Sequence, residues 1–86
     1  MKKPSDFQKG EVYRMSPGYY VKTPYYVIIN DVGEDFIETD IPLEHSLKIR
    51  FKTPTWEYQI PRMTYIGNDT KSRNLIYNQK NLYDND

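Results

Sequence analysis

Residues 24–40, PYYVIINDVGEDFIETD, restrict this chain more than any other stretch. Two runs of β-branched and aromatic residues, 25–29 and 36–39, flank Asn30-Asp31-Val32-Gly33-Glu34-Asp35. Strand formers on both sides of an Asn/Asp/Gly loop predict a β-hairpin. Side chains alternate along a strand, so Tyr25, Val27 and Ile29 share one face and Tyr26 and Ile28 the other. Both faces are apolar. One lines the core, and the other needs a cover. The C-terminal segment is favoured, because Leu75, Ile76, Tyr77, Leu82 and Tyr83 supply apolar residues without a partner; a second copy of the chain or a target could also serve.

The remaining composition also points to β-structure. The chain contains no alanine, the best helix former, and its six prolines cut residues 1–61 into short pieces. Nine tyrosines, three phenylalanines and one tryptophan set it apart from disordered chains, which are poor in aromatics. With 86 residues it is read as one small β domain spanning 1–86. A chain of this size buries only about 60–65% of its unfolded surface. Residues 1–6 are expected to form a flexible arm, and residues 70–86 a segment that packs on the sheet or stays partly disordered.

Short strands are expected at 11–15, 25–29, 36–39, 47–52, 56–60 and 62–66, with an extended lead-in or strand at 19–22. In the fourth of these Leu47, Ile49 and Phe51 alternate with Lys48, Arg50 and Lys52. In the fifth Trp56, Tyr58 and Ile60 alternate with Glu57 and Gln59. Leu75, Ile76, Leu82 and Tyr83 fall at spacings that suit a short helix, with Asp69 or Thr70 as N-cap. Five or six short strands predict a small antiparallel, strongly bent sheet or a barrel of the SH3-like or oligonucleotide-binding size.

Sites for chemistry are sparse. There is no cysteine, so disulfides and thiolate metal sites are excluded. His45 is the only histidine, and with Ser46 beside it on an extended chain it makes neither a metal set nor a nucleophilic pair. The four glycines are isolated and turn-like rather than a phosphate loop. No catalytic residue, cofactor or metal ligand is assigned. The reading is non-enzymatic and cytoplasmic: no apolar run approaches a membrane span, and no apolar stretch follows the two N-terminal lysines as in a signal peptide.

Three groups of residues are candidates for contacting a partner. Tyr19, Tyr20, Tyr26 and Ile28 offer aromatic and apolar area, and tyrosine suits recognition because it brings rigid area and a hydroxyl at low entropic cost. Lys48, Arg50 and Lys52 form a basic stripe with a spacing of about 6.6–7 Å, which suits successive phosphates of a single strand. Glu34, Asp35 and Glu38, within a wider acidic run from Asp31 to Glu44, form an acidic edge that can engage a basic partner or pair with the stripe across the sheet. Net charge is zero, so there is no overall pull toward nucleic acid or membrane.

The segments Gly10-Glu11-Val12-Tyr13 and Pro24 through Phe36 resemble the opening of MazF/PemK-type toxins. Those begin with a G-D/E-aliphatic-aromatic strand, then R-P, an aliphatic strand and N-D-aliphatic-G. The resemblance covers about the first forty residues and implies an SH3-like barrel that cleaves RNA as a dimer. Thr23, with Lys22 beside it, stands where that family places its catalytic arginine. Asp40-Ile41-Pro42-Leu43 stands where its threonine or serine is expected. The leading expectation is therefore a small binding protein that masks a surface of a larger macromolecule, in the style of a phage- or mobile-element-encoded inhibitor or accessory subunit. A protein partner is the first choice, and a homodimer is compatible with the sequence. The alternatives are an RNA- or single-strand-binding barrel and a divergent endoribonuclease of the MazF type.

Overall fold

A computed structural model of the chain describes residues 2–19, 21–41 and 44–84, with the backbone alone at 41, 44, 45 and 80–84. Five strands, β1 (Val12–Met15), β2 (Tyr25–Val32), β3 (Phe36–Ile41), β4 (Glu44–Arg50) and β5 (Met63–Gly67), form one antiparallel sheet in the order β4-β3-β2-β1-β5. Helix α1 (Pro54–Gln59) runs into a 3-10 turn at Ile60–Arg62, and helix α2 (Thr70–Asp84) follows β5. The protein is mostly β, as expected. The sheet is not closed: β4 and β5 are its two edges, so it is an open sheet and not a full barrel.

The hairpin forms where the sequence places it. Gly33 N–H donates to Phe36 C=O at 2.9 Å and closes the turn. Tyr25, Val27 and Ile29 are buried in the main core with Tyr13, Met15, Ile37 and Ile49. Phe7, Trp56 and Ile60 cover this face from outside the sheet. The Trp56 ring meets Phe7 and Phe51 edge-on, at centroid distances of 6.0 and 5.2 Å. The N-terminal arm is in part structured: Pro4–Asp6 makes one 3-10 turn, Pro4 is buried, and Lys2 Nζ lies over the Phe7 and Tyr13 rings.

Residues 56–60 are not a strand. Thr53 caps α1 by accepting from Trp56 N–H at 3.2 Å, and Pro54 occupies the first turn, where its missing N–H costs nothing. Trp56 and Ile60 are four residues apart and share the buried side of this turn, while Tyr58 points outward. Lys52 also leaves its expected strand, because β4 ends at Arg50 and Lys52 takes a left-handed φ of 64°. No strand forms at residues 19, 21 and 22.

The second face of β2 is closed by α2. Val12 stands opposite Ile28 and Gly67 in the ladder, on the face away from the main core. It is nonetheless fully buried, and it does not belong to the main core cluster. Helix α2 lies against β2 and β1, with Ser72 buried and Leu75 and Ile76 half-buried. Gly67 has no side chain because a Cβ there would collide with the Ser72 hydroxyl. Asp69 starts the helix: its carboxyl accepts from the Ser72 hydroxyl and from Ser72 N–H, the latter at 2.8 Å, and these bonds lower its pKa. The helix is longer than the short one expected. The Leu82 and Tyr83 side chains lie outside the described residues.

Gln79 fixes the far part of the helix. Its carboxamide accepts from Tyr26 N–H at 2.6 Å and donates to Tyr26 C=O at 2.7 Å. Tyr26 lies beyond the last β2–β3 pair at this end, Ile28 with Asp40. The side chain thus satisfies both backbone groups of Tyr26, as a neighbouring strand residue would.

Candidate functional site

Two exposed tyrosines come together at one corner, where the loop after β1 meets α1, while Tyr65 and Tyr77 are exposed singly on β5 and α2. Met15 ends β1, and the chain then runs through Pro17 and Gly18 to a bend at Tyr19. Gly18 N–H donates to Val21 C=O at 2.8 Å. Arg62 grips this loop by donating from Nε and Nη2 to Ser16 C=O at 3.2 and 2.7 Å, and from Nη1 to Gln59 Oε1 at 2.6 Å. In return Ser16 N–H donates to Arg62 C=O at 2.9 Å. A Cβ at Gly18 would stand 2.6 Å from the Arg62 guanidinium and 2.7 Å from the Tyr58 hydroxyl, so a larger residue here would displace the ends of these two side chains.

Two tyrosines are mounted on this frame. Tyr19 N–H donates to the Tyr58 hydroxyl at 2.8 Å, which ties the loop to α1. Tyr19 remains 74% exposed and Tyr58 44%. Each ring has a cation at one face: Lys22 Nζ lies 5.3 Å from the Tyr19 centroid, and the Arg62 guanidinium 5.0 Å from that of Tyr58. The corner therefore offers two amphipathic rings, held by loop-to-helix hydrogen bonds, beside positive charge. Of the sequence candidates, Tyr19 belongs to it and Tyr20 lies outside the described residues. Tyr58 was missed, because the alternation from Trp56 to Ile60 read as a strand with Tyr58 on its buried face.

The other candidates lie elsewhere. Tyr26 and Ile28 are half-buried on the face that α2 covers. Lys48 and Arg50 lie on edge strand β4 opposite Glu38 and Phe36. Lys48 Nζ sits 4.4 Å from the Phe36 ring centroid, and Arg50 pairs with Asp35 at 3.5 Å with both side chains exposed. Lys52 Nζ lies 5.5 Å from the Phe51 ring. Glu34 is exposed in the hairpin turn. The structure thus sets the basic stripe against the acidic hairpin, an arrangement of small energetic weight at the surface.

Next to the tyrosine corner, a cavity of about 560 Å³ opens between the N-terminal arm, α1 and the start of β5. Lys2, Trp56, Glu57, Ile60, Pro61 and Met63 line it. Trp56 Nε1–H is buried and has no acceptor among the described residues. On the same side of the sheet, Tyr13 donates its hydroxyl to Glu11 at 3.1 Å, and burial and the Glu11 charge raise its pKa well above the usual tyrosine value. Among the described residues no group of three His, Cys, Asp or Glu side chains is placed to hold a metal ion, and no helix is long and apolar enough to cross a membrane. No family model matches the chain, and no curated protein or solved structure matches it at a significant level.

Proposed function

We propose that this chain is a small non-enzymatic binding protein that masks a surface of a larger protein, with the Tyr19–Tyr58 corner as its main contact. One observation carries this reading: two exposed tyrosines stand on a loop–helix junction already fixed by Arg62 and by the Tyr19–Tyr58 hydrogen bond. Aromatic anchors that need no ordering on binding keep their contact energy, and Tyr and Arg are enriched among the residues that dominate interfaces. The flanking Lys22 and Arg62 favour an acidic rim on the partner. Size and the sparse catalytic inventory fit an inhibitor or accessory subunit of phage or mobile-element type.

The test begins with immobilised protein and a lysate of the source cells, with retained proteins identified by mass spectrometry. The retained partner is then purified and titrated against variants. Tyr19→Ser and Tyr58→Ser should each weaken binding by roughly tenfold or more, the 1.4 kcal/mol or above that marks an interface anchor. Lys48→Ala should leave it unchanged. No retained partner, or equal retention by the Tyr19→Ser/Tyr58→Ser double variant, overturns the proposal.

A further inference from the structure

We infer that the free edge of β5 pairs with the β5 edge of a second copy of this chain, placing Tyr65 of each copy at the cavity of the other. This goes beyond the binding function proposed above and uses a different surface.

The backbone fixes which groups the edge offers. Tyr26 turns its N–H and C=O toward Gln79, away from β1. Arg14, its partner across the ladder, therefore turns its own N–H and C=O toward β5, where Thr64 stands opposite. The Ser16 N–H to Arg62 C=O bond continues the same alternation. Thr64 and Arg62 thus face inward, and Met63 and Tyr65 direct their N–H and C=O to the outer edge. Among the described residues no strand lies beyond β5.

Edge strands usually carry a charge or proline that prevents such pairing. Strand β4, the opposite edge, carries Lys48 and Arg50. Strand β5 reads Met-Thr-Tyr-Ile-Gly and has neither protection. Tyr65 and Ile66 are 51% and 38% exposed.

Self-pairing has a natural register. With the two-fold axis at Thr64, Met63 of one copy forms a hydrogen-bonded pair with Tyr65 of the other. Directly paired residues project on the same face. Met63 lines the cavity, so the tyrosine opposite it is delivered there. The contact is self-complementary, as a two-fold interface must be. It is also short, within the weak class that buries under about 1,200 Å² in total.

The test is sedimentation equilibrium from low micromolar to millimolar protein, with emission from Trp56 as a local reporter, since it is the only tryptophan and lines the cavity. The expected result is a monomer–dimer equilibrium with a Trp56 emission change that follows dimer formation. The axis places the two copies of residue 64 about 4.5 Å apart at Cα. Thr64→Lys and Thr64→Glu should each weaken dimerisation at least tenfold, and an equimolar mixture of the two should restore it as a heterodimer. Tyr65→Ser should weaken the dimer and abolish the emission change, with only a modest fall in the monomer's thermal melt from loss of its edge-on contact with Tyr13 at 5.5 Å. A monomer at every concentration overturns the inference, as does a dimer that persists in Thr64→Lys and Tyr65→Ser.

Discussion

The two faces of the sheet are covered in different ways. On one, large side chains from just after the arm, from α1 and from the 3-10 turn that follows it (Phe7, Trp56, Ile60) descend onto Tyr13, Tyr25, Val27, Ile29, Ile37 and Ile49. On the other, α2 lies against β2 and β1, above the small group of Val12, Ile28 and Gly67, with Ser72 beside Gly67. Beyond it, toward β4, that face carries charge: Asp31 opposite Glu38, and Glu38 opposite Lys48. The first face depends on aromatic bulk. The second depends on close approach at Gly67, one burial at Val12 and a side-chain clamp at Gln79.

The largest effect is expected on the aromatic face. Trp56→Ala removes the only tryptophan and opens a cavity beside an existing one, at a cost of roughly 3–5 kcal/mol. That is a large share of the stability of any small domain, so chemical denaturation should show the variant unfolded or close to it. If it melts within a few degrees of wild type, α1 does not anchor the core.

Val12→Ala sharpens the contrast. It loses two buried methyl groups, about 1.5–2 kcal/mol, although it lies outside the aromatic cluster. A loss under about 0.5 kcal/mol, as at an exposed site, would show that α2 does not bury the second face. Gly67→Ala should also destabilise, and Ser72→Gly should recover part of the loss by removing the hydroxyl it strikes.

These faces differ in how legible they were. The hairpin, both apolar sides of β2, β5 and the need for a C-terminal cover could be read from alternation, turn chemistry and the apolar residues after Gly67. Helix α1 could not be read from alternation, because an i, i+4 pair such as Trp56 and Ile60 satisfies periods of 2 and of 3.6 together. The discriminating signal was Thr53-Pro54, a helix cap followed by its favoured first residue. The tyrosine corner depends on Arg62 reaching Ser16, 46 residues away, and no local pattern encodes such a contact.

Alkaline pH provides a smaller probe of the aromatic face. The Tyr13 pKa is raised in the folded state, so the folded form keeps its proton where the unfolded chain loses it. Stability from this group is complete below pH about 10 and is lost as pH rises toward the folded value. Wild type should therefore lose stability above pH 10 more steeply than Tyr13→Phe. Parallel pH profiles would show that Tyr13 is not the group responsible.

The charged part of the second face should matter least. Glu38→Gln and Lys48→Ala should each change stability by less than about 1 kcal/mol, as exposed pairs do. Single-stranded nucleic acid should bind only weakly at physiological salt. Sub-micromolar binding that falls steeply with salt and disappears in the Lys48/Arg50/Lys52 triple alanine variant would give the stripe a role in phosphate contact.

Amide hydrogen exchange at Tyr26 tests most directly whether α2 closes the second face. Its N–H donates to the Gln79 side chain, whereas Ile29 N–H on the same strand donates to the Glu11 carbonyl. In wild type both should be protected. In Gln79→Ala, Tyr26 protection should fall at least tenfold while Ile29 keeps its own. An unprotected Tyr26 amide in wild type, or the same protection in both proteins, would contradict the clamp and the helical cover built on it.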